Sequence, residues 1–321
     1  MIISDRTLKN IANELEAQNA LIGAIAGKNP GSYVVESWDE VQEIVSNGIA
    51  NHVFAIGEQL IAGYTYSGVE YENAWDVVGF GTAIVKDDNG NEVEKPAMFI
   101  QQHYATIEGV QYDAPEPNNT LNTDGSVNTD VATYGYNRWS ESGIRAWLNS
   151  EETAGHWFGS SFERNGVIVP RRASDVAPTQ HSTYNGYLFN MDKELLSVLK
   201  PIKVTTATNT VTDGGVIDYT WDKIFLPSLI EMHINPQSTV EGSDWEYYRA
   251  MQDTPFAQYG TYTALIKYAL NNKTSAQHCW LRSANRGTSR LAWYVYSSGY
   301  VSNSYASYAY RCAPACAIVG I

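Results

Sequence analysis

Trp293–Tyr310 reads WYVYSSGYVSNSYASYAY: six tyrosines, five serines and no charged residue, interleaved with Val295, Val301, Ala306 and Ala309. Apolar Trp293 and Val295 alternate with Tyr294 and Tyr296, the period of a strand whose successive side chains take opposite faces. Ser297-Ser298-Gly299 is a three-residue turn with glycine last, the position that needs positive φ in such a hairpin. The chain from Tyr300 onward then returns beside 292–296. With Trp293 and Val295 turned to the core, Tyr294 and Tyr296 are expected to face outward, joined by Tyr300, Ser302 and Ser304 or their alternates. Tyrosine mixed with serine is what binding loops favour, because Tyr brings large contact area at low rotamer entropy and Ser brings adaptable hydrogen bonding. The competing reading is an ordinary strand pair that only packs. Contiguous exposed aromatics favour an interaction surface.

Working outward, 321 residues with 44% hydrophobic content can bury a full core. The net charge of -14 and pI near 4.8 set the chain against nucleic acid, whose phosphates it repels, and Arg171-Arg172 is the longest basic run. No window approaches eighteen uninterrupted apolar residues, and MIISDRTLKN lacks the basic, apolar, small-residue order of a secretion signal, so synthesis in the cytosol and no membrane insertion are expected. Three cysteines are no disulfide framework, and Cys279, Cys312 and Cys316 read as small buried hydrophobes in place of a zinc site. Neither metal nor cofactor is expected.

Leu8, Ile11, Leu15, Ile22 and Ile25, with Gln18 in the polar slot, form a short heptad seam ended by Gly27 and Asn29-Pro30. Residues 1–30 are therefore expected to be a helical segment, either an oligomerisation stalk or an amphipathic helix on its own core, with 31–321 as the binding domain. Ser37 caps the next helix, Glu40 completes an S-x-x-E box, and Val41, Ile44 and Val45 make its stripe up to Gly48. From 53 to 102, VFAIG, QLIAGYTY, WDVVGFGTAIV and PAMFIQQ read as antiparallel strands, with a hairpin at Asp88-Asn89-Gly90. Residues 113–133 read as a long loop, NRWSESGIRAWLN (137–149) as a helix capped by Ser140 or Ser142, and 190–200 as a helix capped by Asn190 or Asp192. DKIFLPSLIE (222–231) reads as a buried strand meeting a helix, and TYTALIKYALNNK (261–273) as helical.

In the loop, Asp124, Ser126, Asn128 and Asp130 alternate as calcium ligands would, but Thr129 stands where an EF-hand needs glycine and Gly135 where it needs glutamate. Glu116-Pro117-Asn118 matches a tripeptide of the animal C-type lectins, without the partner Trp-Asn-Asp or the lectin cysteines.

The order NRWSESGIRAWLN, DKIFLPSLIE, CWLRS, AWYVYSSGYV and RCAPACAIVGI resembles the gut-bacterial and phage domain of the formylglycine-generating-enzyme-like, C-type lectin superfamily. Within that superfamily the tail resembles variable proteins of diversity-generating retroelements. The likeness spans Trp38 to Ile321. It implies an α+β, C-type lectin-like domain of short antiparallel sheets, a few helices and long irregular loops, with a variable region at about 285–310. In that family adenine-directed copying turns Asn codons into codons that cannot encode Lys, Glu, Gln, Met or Trp. From His278 to Ile321 this chain has no Lys, Glu, Gln, Met or Asp, and its two tryptophans, Trp280 and Trp293, stand where the family has scaffold.

On that likeness the diversified, ligand-binding positions are Ser289, Arg290, Leu291, Tyr294, Tyr296, Tyr300, Ser302, Asn303, Ser304, Tyr305, Ser307, Tyr308 and Tyr310. Ala292, Trp293, Val295, Ser297, Ser298, Gly299, Val301, Ala306 and Ala309 are implied to be fixed. The expected function is non-catalytic: Tyr side chains fill pockets on a protein or glycan receptor at a target cell surface, and Arg290 pairs with a carboxylate. A homo-oligomer, a trimer by preference, would present several copies from a phage tail tip or a bacterial surface. The alternatives are an enzyme, since the superfamily includes a cysteine-dependent oxidase and His103, His156, His181 and His278 are available, or a calcium-dependent lectin using 113–133.

Overall fold

The turn signalled by Asp88-Asn89-Gly90 forms: Gly90 takes φ 81°, and Asp87 Oδ1 accepts the N–H groups of Asn89 (2.9 Å) and Asn91 (2.8 Å). The computed structural model describes residues 36–116, 121–173 and 175–321, so the heptad seam of 1–30 lies outside the described residues. Around that hairpin, β1 (Gln59–Tyr66), β2 (Val69–Lys86) and β3 (Glu92–Gln102) build one side of the domain. They join β7 (Ile202–Ala207), β8 (Ile217–Asp222) and β15 (Ala315–Val319) in a sheet of order β15-β3-β2-β7-β8, with β1 paired to β2. A second sheet of order β13-β12-β11-β14-β4 holds β4 (Val110–Gln111), β11 (Cys279–Ala284), β12 (Leu291–Val295), β13 (Val301–Tyr305) and β14 (Ala309–Cys312). Two small hairpins complete the strands: β5 (Ser161–Arg164) with β6 (Val167–Pro170), and β9 (Lys267–Ala269) with β10 (Asn272–Gln277).

The helices are short: α1 (Trp38–Ser46), α2 (Ala50–Val53), α3 (Thr129–Tyr134), α4 (Gly143–Leu148), α5 (Tyr187–Asn190), α6 (Lys193–Val198) and α7 (Glu246–Arg249). The architecture is α+β, built from short elements and long connections. Among the described residues the strands pair antiparallel except where β11 runs parallel to β14, Cys279 beside Arg311, and isolated parallel bridges join Ala105 to Ala269 and Ile234 to Phe256. The tail RCAPACAIVGI stitches the two sheets together, giving β14 to one and β15 to the other. Phe225 and Ala315 exchange backbone bonds across the join (2.9 and 2.8 Å). Trp75, Trp139, Trp147, Trp280 and Trp293 all lie in the core, at most 1% exposed. Aromatic side chains of that size dominate the area a core removes from water.

Local chemistry explains the boundaries. Ser37 Oγ accepts the Glu40 N–H (3.2 Å), and the Glu40 carboxylate takes the N–H of Glu36 (2.7 Å), one residue upstream of the reciprocal partner a capping box usually has. Asp192 caps α6, accepting from Glu194 and Leu195. In 137–149 a 3-10 turn occupies Trp139–Glu141, and the α-helix starts only after Ser142, whose Oγ accepts the Arg145 N–H.

Several expected elements are replaced. Residues 53–57 are no strand: α2 ends there and Gly57 N–H turns onto the Val77 carbonyl (2.8 Å). The loop 113–133 contains most of α3, hidden from the sequence because Val131 is its one buried residue and no apolar stripe forms. After Asp222 the chain to 231 is buried but irregular, without the expected helix. The stretch 261–273 is a 3-10 turn at Thr263–Leu265 followed by the β9–β10 hairpin. There Lys267 and Ala269 are buried and Tyr268 is exposed, a period of two that TALIKYAL also satisfies as readily as a helical one.

Candidate functional site

The hairpin β12–β13 forms in the expected register, with Val295 opposite Val301, Tyr294 opposite Ser302, and Trp293 opposite Asn303. Gly299 takes φ 83° at the turn. A Cβ there would stand 2.1 Å from the Tyr262 carbonyl oxygen, so only glycine fits. Beside β12, Trp280 of β11 stands opposite Tyr294.

This register assembles a continuous aromatic row. Tyr294 and Tyr310 stack at 5.1 Å between centroids, both rest on Trp280 (5.8 and 4.9 Å), and His278 sits 3.9 Å from Tyr296 and 5.0 Å from Tyr310. The row continues through Tyr308 (5.9 Å from Tyr310) to Tyr305 (5.6 Å) and ends with Tyr305 stacked on Tyr134 of α3 at 4.2 Å. Arg290 lies over both of those last rings and is ion-paired with Asp130.

Exposure along the row is graded. Tyr296 and Tyr308 are 41% and 47% exposed, Tyr300, Tyr305 and Tyr310 are half-buried, and Tyr294 is 7% exposed. The expectation that Tyr294 faces solvent is corrected: it does lie across the strand from Trp293, but Trp280, Tyr310, His278 and Tyr296 cover it. Both faces of this sheet are packed near its centre, so alternation assigns a face without assigning exposure. Burial pushes the Tyr294 phenol up to about 12, raises Tyr310 and holds His278 below the usual imidazole range.

Other expected positions have structural partners. Ser289 is 1% exposed, with its hydroxyl on Asn128 Oδ1 (3.1 Å) and its carbonyl accepting from Asn137 N–H, so it fastens the loop to the α3 cap and is not presented to a ligand. Arg290, expected to pair with a ligand carboxylate, is ion-paired with Asp130 of its own chain, so a ligand carboxylate would compete with that partner. Ser304 is 9% exposed and shares a hydrogen bond with the Tyr310 hydroxyl (3.2 Å). Ser307 donates its N–H to the Tyr134 carbonyl and accepts from Gln111. Leu291, Asn303 and Tyr305 fall by register on the Trp293 side, where Asn303 donates to the Tyr259 hydroxyl (2.8 Å), and Tyr305 joins the row at the strand end through Tyr308; Ala292, implied to be fixed, falls on the Tyr294 side. Ser302 is half-buried at the rim.

Two members of the row, His278 and Tyr134, were not among the ligand-binding positions expected from sequence. His278 was readable, because it sits two residues before Trp280 and so on the same strand face. Tyr134 was not, since its helix lies in a stretch read as loop.

The row offers contact surface and hydroxyl groups without an activated nucleophile. Cys279, Cys312 and Cys316 are buried free thiols; burial raises all three, Cys279 to about 12. Among the described residues no group of three or more His, Cys, Asp or Glu side chains is placed to hold a metal ion. Asp124 is occupied by the Ser126 N–H and hydroxyl, and Asn128 caps α3. Glu116 is paired with Arg172 (2.8 Å). No described helix is long and apolar enough to cross a membrane.

A family model described as a domain of unknown function (DUF6273) matches residues 110–320, which takes in both strands of the hairpin, β11, β14, α3 and every residue of the aromatic row. No curated protein and no solved structure matches the chain.

Proposed function

From the premise that the chain belongs to the DUF6273 domain family, we propose that it is a binding protein whose tyrosine row contacts a protein or glycan receptor on a target cell surface. The observation that carries this reading is the join between exposed Tyr296 and Tyr308 and a buried aromatic base, with Tyr294 and Trp280 beneath them. Rigid, amphipathic rings held on a packed frame lose little entropy on binding, which is what an anchor residue needs. Fully covering one such ring contributes about 1.5–3 kcal/mol, so a single site is weak and gains from several copies. The fold belongs, in this reading, with the formylglycine-generating-enzyme-like, C-type lectin-like domains, and the tail with the variable proteins of diversity-generating retroelements. The chain then acts as a homo-oligomer, a trimer by preference, on a phage tail tip or a bacterial surface.

Raised thiols and a His278 packed among phenol rings favour adhesion over turnover. The test is the DNA beside the gene: a near-copy of the segment encoding 285–310, differing where the copy has adenine, with a reverse transcriptase nearby, is expected. A flank with neither removes the retroelement part of the proposal. Receptor binding that survives a calcium chelator is also expected; binding lost on chelation would transfer the site to residues 113–133.

A further inference from the structure

The first sheet is split along one edge of β2. β1 covers the edge of β2 from Val69 to Asp76, and residues 57 and 58 bond Val77 just beyond. On the same edge β7 then rejoins β2 at the single pair Val85 with Ile202. Between those points residues 79–84 of β2 face residues 202–205 of β7 across a cavity of about 640 Å³. β3 occupies the other edge of β2 and β8 the other edge of β7, so each strand turns one edge into the gap. At the end of that β7 stretch the chain plugs its own edge: the Thr205 carbonyl accepts from Arg282 Nε (3.4 Å), Thr205 Oγ donates to the Val240 carbonyl and Ala207 N–H to Glu241. No such plug is present at 79–84 among the described residues.

We propose that this gap is a second binding site, which takes an extended peptide segment of a partner protein as an added strand. An unpaired strand edge is a template for main-chain pairing, and pockets beside it select alternate side chains. Here the apolar lining is Phe99, Phe225 and Trp245; the Trp245 ring lies against buried Gly79, where a Cβ would stand 3.5 Å from it, and Gly81 is exposed. At the rim Glu94 and Glu246 stand beside Arg249, while Asp244 is already held by His233 (2.9 Å) and Lys203 by Glu92 (2.8 Å); Arg282 and Glu231 are buried and pair with each other. The segment is therefore one that alternates apolar residues with Lys or Arg. This site is separate from the tyrosine row and does not depend on its reading.

The probe is a capped hexapeptide of alternating lysine and valine, titrated against the full chain by calorimetry and followed by amide hydrogen exchange. Saturable binding is expected, with slowed exchange at those amides of 79–84 and 203–205 that turn away from β3 and β8. Methylating alternate backbone nitrogens of the peptide, which keeps its charge and side chains, should weaken binding about tenfold or more, because each methyl removes a main-chain donor. An alternating glutamate and valine peptide should bind more weakly still, and Glu94→Lys with Glu246→Lys should reverse the preference. No binding at about 1 mM, equal binding of the methylated peptide, or protection in the free chain of those amides of 79–84 that turn away from β3 would each overturn the proposal. The last result would mean that the chain fills its own gap.

Discussion

At the scale of single residues the tyrosine row separates into base and rim, and the two respond differently to truncation. Tyr294→Ala removes a ring that Trp280, Tyr310 and His278 enclose, so a loss of about 2–4 kcal/mol is expected, read as a lower denaturant midpoint at unchanged m-value. Tyr296→Ala and Tyr308→Ala cut exposed rings and should each change stability by less than about 0.5 kcal/mol. Equal losses at all three positions would refute the division. The sequence shows why alternation reached only half of this. The period of two in WYVYSSGYV placed Tyr294 and Trp293 on opposite faces correctly, but whether a face meets water is set by what else packs on it. Trp280, Tyr134 and His278 come from segments 14 to 160 residues away.

At the scale of elements, the β12–β13 turn is the sharpest test of the hairpin. Gly299→Ala imposes a φ that costs about 1–3 kcal/mol on a residue with a side chain, and it drives a Cβ into the Tyr262 carbonyl. A melting temperature several degrees lower and loss of receptor binding are expected together; an unchanged melting curve would mean the turn is built otherwise. Caps and turns of this kind were legible wherever a side chain or a glycine has one local job, as at Ser37, Asp192 and Gly90. Elements were misread where burial comes from distant chain. Lys267 is buried against the Gln102 carbonyl (3.3 Å) and near Asp76 (3.8 Å), partners no window around TALIKYAL contains. The buried face of 137–149 is likewise polar: Arg138 reaches Asp218 (2.7 Å), and Arg145 and Trp139 reach Asp222 (2.7 and 3.0 Å). Paired arginine and aspartate so far apart in sequence leave no periodic trace.

At the scale of the whole molecule, buried acids give stability a pH dependence with a definite sign. Burial lifts Glu108, which accepts from the Tyr64 hydroxyl (2.8 Å), to about 7, and Glu116 to about 8. Both lie above an ordinary glutamate, near 4.3, so the folded chain holds protons that the unfolded chain has released, and stability falls as pH rises through that interval. His181 and His278 are lowered and lose stability only on the acid side of about 6.5, so the window these groups set is about 6.5 to 8. The denaturant midpoint should drop across it, and Glu108→Gln should flatten the lower part of the drop. A midpoint that rises over that window would contradict these assignments.

The central claim, a packed frame presenting a substitutable aromatic rim that adheres without reacting, is tested most directly by binding the full chain to arrays of glycans and of bacterial surface proteins, beside the double variant Tyr296→Ala, Tyr308→Ala. The account predicts selective binding by the parent chain, recovery of the bound target unchanged, and loss of that binding in a variant whose melting temperature stays within about two degrees. Undiminished binding by the variant, or a target recovered chemically altered, would contradict it.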